Sequence, residues 1–494
     1  MRCLLGLWLA VVPLIAAGPL AARLDLLRTA PALRGASVGL QVVRLSDGKV
    51  LYQHDAEHWF VPASNMKLFT SALALMRLGP NFRFTTEVVA GQPIDASGSI
   101  HGDLVLVGGG DPSLSGRPYP YRYDPQATPG STYSFAAIER FADELVAGGL
   151  KTVEGQVIGD DRRYVWEPQA SGWTTGDALW DYGAPVSALI VNDNSFALRV
   201  RPSARPGDLA SIWLTPPFEY FSIDNRVRTG SGPERKLRIE RGPLGRELHL
   251  SGVVPAGDRG FSELLAVDDP AQFAAEVLTD ALERRGVSIH GEAAARHRFA
   301  DDDASPDASQ AMPTVLVQRS SPPLSDLLQV VDKASQNLHA EVLLREVALA
   351  RKQEGSRTAG LAQLHEFLNE IGLSSDCCQF NDGSGLSPAT LVTPASVTAL
   401  LGYMYKSKYR DLWLNLLPVA GSDGTLAARF AKHSEANVIH AKTGTLSHVH
   451  ALSGYVLAPG HEPLAFALLV NNYGAPGPEV TAAMDRIALA LAER

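Results

Sequence analysis

The sequence predicts an α/β (α+β) fold in which both ends of the chain build one domain and the middle forms a large β-rich insert. Three observations lead to this prediction. Strand patterns lie near both ends, helical patterns lie beside them, and the middle is rich in Gly, Pro and short β-like runs. We expect residues 23–84 and 313–494 to form the split domain, and residues 85–312 to form an insert with two subdomains.

The first half of the split domain is predicted to contain a hairpin and a helix. Residues 37–43 alternate as a strand, Ser46-Asp47-Gly48 makes a turn, and a return strand begins at Val50. Pro62-Ala63-Ser64 then opens a helix whose apolar residues recur at helical spacing as far as Leu78.

The second half is predicted to add helices and three strands. Helical periodicity covers residues 324–333, 338–353, 357–371 and 479–492. Strand-like segments cover residues 437–443, 450–457 and 464–470. Because these strands lie near one end of the chain and the hairpin near the other, we expect them to meet in one sheet.

The insert repeats a short pattern, apolar-x-Gly-x-apolar. It occurs at Ile100-Gly102-Leu104, Val153-Gly155-Val157, Leu250-Gly252-Val254 and Ile289-Gly291-Ala293. The irregular spacing argues against a solenoid and favours recurrent strand-and-bulge elements. Helical patterns at 133–148 and 270–285 separate the strands, and the acidic stretch 301–307 is the expected exit linker.

Composition excludes several classes of protein. The chain has 494 residues and a formal net charge of −9, which argues against a protein built to bind nucleic acid. Three cysteines exclude a disulfide scaffold and a four-cysteine zinc site, and His448-Val449-His450 lacks the carboxylate spacing of a metal site. We therefore expect neither a metal nor another cofactor.

The N-terminus predicts export. Met1-Arg2 precedes an apolar run over residues 3–15 that ends in Ala16-Ala17-Gly18, which is typical of a signal peptide within residues 1–22, cleaved after Ala17 or Ala22. The alternative is an uncleaved membrane anchor. We expect a periplasmic protein without integral membrane association in its mature form.

Three short motifs carry the chemistry: Ser64-Asn65-Met66-Lys67, Ser335-Gln336-Asn337 and Lys442-Thr443-Gly444. Alone, each has an ordinary structural explanation, such as a helix N-cap or a turn at a strand end. Together, in this order, they are the signature of penicillin-binding proteins and serine β-lactamases.

This combination predicts acyl transfer to a serine without a histidine base. Ser64 is the expected nucleophile and Lys67 its base, which requires a lowered lysine pKa. We expect Ser335 to relay a proton, Asn337 to hold a substrate amide, and Lys442 to attract a carboxylate. Thr443, Gly444 and Thr445 are expected to bind substrate. The backbone N–H groups of Ser64 and Thr445 are the predicted oxyanion hole.

Longer segments resemble the D-alanyl-D-alanine carboxypeptidases/endopeptidases of the low-molecular-mass class C penicillin-binding proteins. These segments are FVPASNMKLFT at 60–70, GGDPSL at 109–114, VNDN at 191–194, DGSGLS at 382–387 and GSDGTL at 421–426. The gap of 271 positions from Ser64 to Ser335 also matches this family, which places extra domains there. Departures are Gln336, Met66 and Pro388, which stands where relatives often have Arg.

The resemblance implies a penicillin-binding transpeptidase-like domain, similar to serine β-lactamases, with an antiparallel five-stranded sheet between helices on both sides. It also implies cleavage of D-Ala-D-Ala ends and cross-links of peptidoglycan stem peptides through an acyl-enzyme that β-lactam antibiotics trap. The alternatives are a carboxypeptidase only, a β-lactamase, or a non-catalytic peptidoglycan-binding protein.

Overall fold

The computed structural model describes residues 19–242, 245–302, 313–351, 354–430 and 432–493. The apolar run and small residues of the expected signal peptide, residues 3–18, lie outside the described residues, as do residues 303–307 of the expected linker. Within the described ranges, no helix combines the length and the apolar character needed to cross a membrane.

Helices and strands alternate irregularly along the chain. The helices are α1 (Pro19–Arg28), α2 (Met66–Leu78), α3 (Ala136–Ala147), α4 (Pro270–Glu283), α5 (Leu324–Lys333), α6 (Asn337–Ala350), α7 (Arg357–Glu370), α8 (Pro394–Lys406), α9 (Arg410–Leu416) and α10 (Gly477–Ala492). Strands of the two chain ends are β1 (Ser37–Arg44), β2 (Val50–His54), β17 (Cys378–Gln379), β18 (Leu391–Val392), β19 (Ile439–Leu446), β20 (Val449–Val456) and β21 (Leu464–Asn471). The other strands are β3 (Thr85–Ala90), β4 (Ser99–Ile100), β5 (Leu104–Val107), β6 (Thr152–Val153), β7 (Val157–Val165), β8 (Ser195–Arg201), β9 (Ser211–Thr215), β10 (Ser222–Gly230), β11 (Lys236–Arg241), β12 (Glu247–Pro255), β13 (Phe261–Ala266), β14 (Ser288–Ile289), β15 (Ala293–Arg298) and β16 (Thr314–Ser320).

Both ends of the chain meet in one five-stranded sheet. Its strand order is β19-β20-β21-β1-β2, and every neighbouring pair is antiparallel. Alternate residues of the central strand β21 enter two different cores. Phe466 and Leu468 pack in the core that contains α10, whereas Ala467 and Leu469 pack in the core that contains α2 and α8. The sheet therefore lies between helices, which confirms the predicted fold class.

The order of the strands leaves β19 at one edge of this sheet. Its strand partner is β20, and its first residues also bond the segment 418–420, since Ala420 N–H donates to Ile439 O (3.0 Å) and Ala441 N–H donates to Pro418 O (3.0 Å). The short 3-10 turn Ala63–Asn65 that precedes α2 packs against both β19 and β20. Because an edge strand has unpaired N–H and C=O groups, the later part of β19, residues 443–445, can accept another extended chain.

Three of the four repeated glycine patterns are structurally equivalent. Each joins a short strand to a longer one, and the three copies lie side by side in parallel, as β4-β6-β14 and then β5-β7-β15. Gly155 N–H donates to Gly102 O (2.9 Å) and Gly291 N–H donates to Gly155 O (3.0 Å). A Cβ at Gly155 would lie 2.4 Å from Gly102 C, so the corner requires glycine. Gly252 lies instead within the continuous strand β12.

The strand β16 begins after the expected end of the insert but pairs with its first strand. Thr314 to Ser320 run antiparallel to β3, at the edge of the sheet β15-β7-β5-β3-β16. Two three-stranded sheets, β10-β12-β11 and β13-β8-β9, complete the region. It has a hydrophobic core of its own around Phe196 and Phe273. We therefore propose that the insert extends to residue 320 and that the second half of the split domain starts at α5.

Candidate active site

Ser64 lies on the 3-10 turn Ala63–Asn65, which follows β2 in the chain and leads directly into α2. Asn471 of β21 fixes the preceding backbone, since its side chain accepts from Val61 N (2.7 Å) and donates to Val61 O (3.2 Å). Asn65 Nδ2 donates to Lys442 O at 2.9 Å. Ala63 has a positive φ of 46°, a conformation that alanine rarely adopts. The predicted helix start is therefore a strained turn held from both sides.

Lys67 reaches Ser64 from the first turn of α2. Its Nζ lies 3.0 Å from Ser64 Oγ, 2.6 Å from Asn337 Oδ1 and 2.8 Å from Ser384 O. The side chain is fully buried. Burial, and secondly the charge of Lys442, hold the pKa of Lys67 well below its usual range. An amine in this setting can accept a proton from the adjacent serine hydroxyl.

Ser335 and Lys442 form the second pair of the site. Lys442 Nζ donates to Ser335 Oγ at 2.8 Å and to Thr443 O at 3.0 Å. Burial lowers the pKa of Lys442 to about 8, while the nearby carboxylate of Asp332 opposes this shift. Ser335 has a positive φ of 62°, so the loop between α5 and α6 is held in a conformation that serine rarely adopts.

The amide of Asn337 is oriented from two sides. Its Oδ1 accepts from Lys67, and its Nδ2 donates to the backbone carbonyl of Tyr182 at 2.8 Å. Tyr182 belongs to the insert, so the insert contributes directly to the geometry of the site. Because every residue type has a backbone carbonyl oxygen, this contact could not have been predicted from the sequence.

Strand β19 passes close to Ser64 because Gly444 has no side chain. A Cβ there would lie 2.7 Å from Pro62 O and 3.0 Å from Ser64 N. Thr443 Oγ1 donates to Thr425 Oγ1 at 2.7 Å, which attaches the segment 421–426 to the strand. Thr445 is exposed on the cleft side. The structure thus brings all eight predicted site residues to one place.

The loop Asp382-Gly383-Ser384-Gly385 forms the back wall of the site. Glu341, fully buried on α6, accepts from Gly383 N (2.8 Å) and Ser384 N (2.9 Å), and this loop in turn presents Ser384 O to Lys67. Gly385 has a φ of 78°, and a Cβ there would lie 1.9 Å from Ala63 O. The segment was part of the family resemblance, but its role beside Lys67 was not among the predicted site residues.

The site opens into a cleft of about 400 Å³. Ser64, Ser335, Asn337 and Thr445 line it, together with residues that were not predicted as site residues: Asp177, Tyr182, Gly385, Leu386, Leu446 and Ser447. Asp177 is the carboxylate among these lining residues. Across the described ranges, no cluster of three or more His, Cys, Asp or Glu side chains is arranged to hold a metal ion.

This geometry has the features of a serine acyl-transfer site with a lysine in place of histidine. The chain belongs to the D-Ala-D-Ala carboxypeptidase 3 (S13) family, whose model matches residues 20–491. The D-alanyl-D-alanine carboxypeptidase of Actinomadura sp. (strain R39) is 36% identical over 484 residues, which cover 95% of this chain and 84% of the relative. The chain is therefore a serine peptidase of the D-Ala-D-Ala carboxypeptidase class.

One further relative by sequence is also a carboxypeptidase, and two solved structures share the fold. The D-alanyl-D-alanine carboxypeptidase DacB of Haemophilus influenzae is 26% identical over 89% of this chain and 86% of the relative. The crystal structure of penicillin binding protein 4 (dacB) from the same organism has the same fold, with a TM-score of 0.79 at 22% identity, covering 95% of this chain and 98% of that one. A peptidoglycan endopeptidase of Bdellovibrio bacteriovorus, Bd3459, matches at a TM-score of 0.50, 15% identity and 92% of both chains.

Proposed function

We propose that the protein is an exported DD-peptidase that cleaves both D-Ala-D-Ala ends and D-Ala-diamino acid cross-links of peptidoglycan through an acyl-enzyme on Ser64. The observation that carries this proposal is the 3.0 Å contact between Ser64 Oγ and the fully buried amine of Lys67. Burial lowers the pKa of this amine, which favours its neutral form, and a neutral amine can act as the general base that serine needs.

In acylation, Ser64 Oγ attacks the carbonyl of the penultimate D-Ala while Lys67 Nζ takes the hydroxyl proton. The C–N bond of the substrate then breaks and the amine leaves with one proton. Ser335 Oγ, which accepts from Lys442 Nζ at 2.8 Å, is placed to pass that proton to the leaving amine. Water hydrolyses the ester in a second step and restores Ser64.

The developing oxyanion is expected to bind between the backbone N–H groups of Ser64 and Thr445. The close passage of β19 past Ser64 at Gly444 supports this, because both donors must reach one oxygen atom. One such donor contributes about 2.7–4 kcal/mol to lowering the barrier. The free edge of β19, with Thr443, Gly444 and Thr445, can hold an extended peptide as an added strand.

The cleft suits the end of a peptide that has an anionic terminus. Lys442 provides positive potential for the terminal carboxylate, and Asn337 provides an amide that can pair with the substrate backbone. The relatives' names support the carboxypeptidase reaction. Cleavage of cross-links is our inference from the same chemistry, since a cross-link presents the same D-Ala carbonyl with a different leaving amine.

Binding of β-lactams is also proposed for this chain. A structure of the Haemophilus influenzae protein with the same fold is described as complexed with a β-lactam, and it matches at a TM-score of 0.75. A β-lactam carbonyl placed beside Ser64 would form the same ester. The signal-like N-terminus supports location in the periplasm, where peptidoglycan is accessible.

Digestion of purified muropeptides tests the proposal. We expect the protein to release D-Ala from pentapeptide monomers and to convert cross-linked dimers to monomers, and we expect Ser64→Ala to lose both activities while staying folded. Release of D-Ala alone would limit the protein to a carboxypeptidase. Rapid hydrolysis of penicillin would favour a β-lactamase, and binding of muropeptides without turnover would favour a binding protein.

A further inference from the structure

A buried carboxylate lies behind the two catalytic-site lysines. Asp332 is the ninth residue of α5, three residues before Ser335, and none of its surface is exposed. Neither of its oxygens has a hydrogen bond of normal geometry, and the Ser71 hydroxyl beside it also lacks one. Buried carboxylates are normally hydrogen-bonded, so this one needs an explanation.

Three lysines stabilise the charged form of Asp332 from beyond hydrogen-bond distance. They are Lys442 on β19, Lys67 on α2 and Lys333 on the same helix, and Lys442 has the strongest effect of the three. Lys333 is already neutralised elsewhere, since its Nζ donates to Asp423 and to Leu417 O. The charges left for Asp332 are therefore those of the two lysines in the site.

The other buried acids near Lys67, Glu341 and Asp382, accept hydrogen bonds from backbone N–H groups. Glu341 accepts from two N–H groups of the 382–385 loop and pairs with Arg345. Asp382 accepts from Trp173 Nε1 and from Gly385 N, both at 3.0 Å, as well as from other groups of its loop. Asp332 differs because it has no hydrogen bond from a backbone N–H and no arginine partner, and its polar neighbours are the Ser71 hydroxyl and the lysines.

We propose that Asp332 is a positioning residue that fixes where the proton of the lysine pair resides, keeping Lys442 charged while Lys67 is neutral. The proposal rests on the proposed function, because it assigns Lys67 as the base. It adds a residue outside the three motifs, in the helix that leads to Ser335. The chemistry needs this asymmetry: a neutral amine beside Ser64 to take a proton, and a cation beside Ser335 to attract the substrate carboxylate.

The expected pH dependence follows from the charge of Asp332. Burial raises the pKa of Asp332 to about 7, so the carboxylate is charged in the range where Lys442, with a pKa of about 8, would begin to lose its proton. A negative charge raises the pKa of both lysines. Its removal therefore moves the alkaline limb of the pH profile, set by Lys442, to lower pH, and changes the profile little below pH 7, where Asp332 is already protonated.

The test is the second-order rate constant for acylation of the full-length protein by a fluorescent penicillin, measured from about pH 5 to 10. For Asp332→Asn we expect the alkaline limb to fall about one pH unit earlier, which makes the rate near pH 8.5 about tenfold lower than that of wild type. At pH 6 we expect little change. Asp326→Asn, in the first turn of the same helix, is the matched control and should keep the wild-type profile.

Three results would overturn the proposal: superimposable profiles, a limb that moves to higher pH, or an equal loss of rate at every pH. The last would indicate a structural role only. Circular dichroism establishes that the variant is folded, and Asp332→Ser replaces it in the same test if the Asn variant is not. Absence of acylation of wild type at any pH would contradict the proposed function itself, so the two failures are distinguishable.

Discussion

Replacing Gly444 with alanine tests whether the packing of β19 against the Ser64 turn determines the reaction rate. The substitution leaves Ser64, Lys67 and every other expected reactive side chain in place. The added methyl group would lie 2.7 Å from Pro62 O, whereas ordinary contacts begin at 3.4 Å. The strand and the turn must therefore separate by about 0.7 Å.

The size of the effect follows from hydrogen-bond geometry. A donor that lies about 2.9 Å from the oxyanion would move to about 3.6 Å, beyond a useful hydrogen bond. Loss of one oxyanion donor lowers the rate about 10²–10³-fold. Overpacking also lowers the free energy of unfolding by about 1–3 kcal/mol. We therefore expect Gly444→Ala to remain folded but to be acylated by a fluorescent penicillin about 10²–10³-fold more slowly.

Gly474→Ala is the matched control. This exposed glycine follows β21, and a Cβ there would contact nothing within 4 Å. We expect it to match wild type both in the acylation rate constant and in the melting temperature. A wild-type rate for Gly444→Ala would show that the distance between β19 and Ser64 does not control the oxyanion hole.

Three further substitutions test separate parts of the account. Lys67→Met removes the expected base, and we expect acylation by a fluorescent penicillin to slow about 10²–10⁴-fold in folded protein; an unchanged rate would exclude Lys67 as the base. Asp193→Asn removes the buried carboxylate that pairs with the half-buried Arg117 and the buried His339, and we expect urea unfolding at pH 7 to show a loss of about 3–5 kcal/mol. Although burial opposes them, Arg117 and His339 hold the pKa of Asp193 below its ordinary value of 3.8, so this stabilisation is present above about pH 4 and is lost as the pH falls towards the folded-state value; a difference independent of pH would contradict this. Asp177→Asn should raise KM about tenfold for a stem peptide with a free side-chain amine and leave KM unchanged for the acetylated peptide, since the carboxylate lines the cleft; equal effects on both would exclude a contact with the amine.

Elements with a clear apolar period were predictable from the sequence. The helical pattern at 270–285 corresponds to α4, Pro270–Glu283, and the strand pattern at 464–470 corresponds to β21, Leu464–Asn471. In both elements the apolar residues of the sequence pattern are the residues that are buried, because the periodicity of a short segment is enough to identify the element. The proposed extension of the insert to residue 320 could not be read from the sequence in this way, because it depends on the pairing of β16 with β3, more than two hundred residues earlier.

The glycine pattern of the insert shows the same limit. Its irregular spacing hid the fact that Gly102, Gly155 and Gly291 lie next to one another. Chain segments of different length separate the three glycines in the sequence, and their hydrogen bonds to one another are seen only in the folded backbone. A search for short patterns finds the residues but not their equivalence.

In the active site, the sequence predicted the reactive side chains but not what holds them. Ser384 and Tyr182 contribute backbone carbonyls, which any residue type could provide. Asp332 looks like an ordinary polar residue of a helix until its burial beside Lys442 is known. The type of a residue is enough to identify a side chain that reacts. A group that acts by holding or charging its neighbours can be identified only from the tertiary structure.

Covalent capture of benzylpenicillin tests whether Ser64 is the nucleophile. The full-length protein is incubated with the drug, and its intact mass and peptide map are measured beside those of Ser64→Ala. We predict one penicillin adduct per molecule, located on the peptide that contains Ser64 and absent from the variant. No adduct on folded wild-type protein, or an adduct on another residue that persists in Ser64→Ala, would contradict the assignment of Ser64 as the nucleophile.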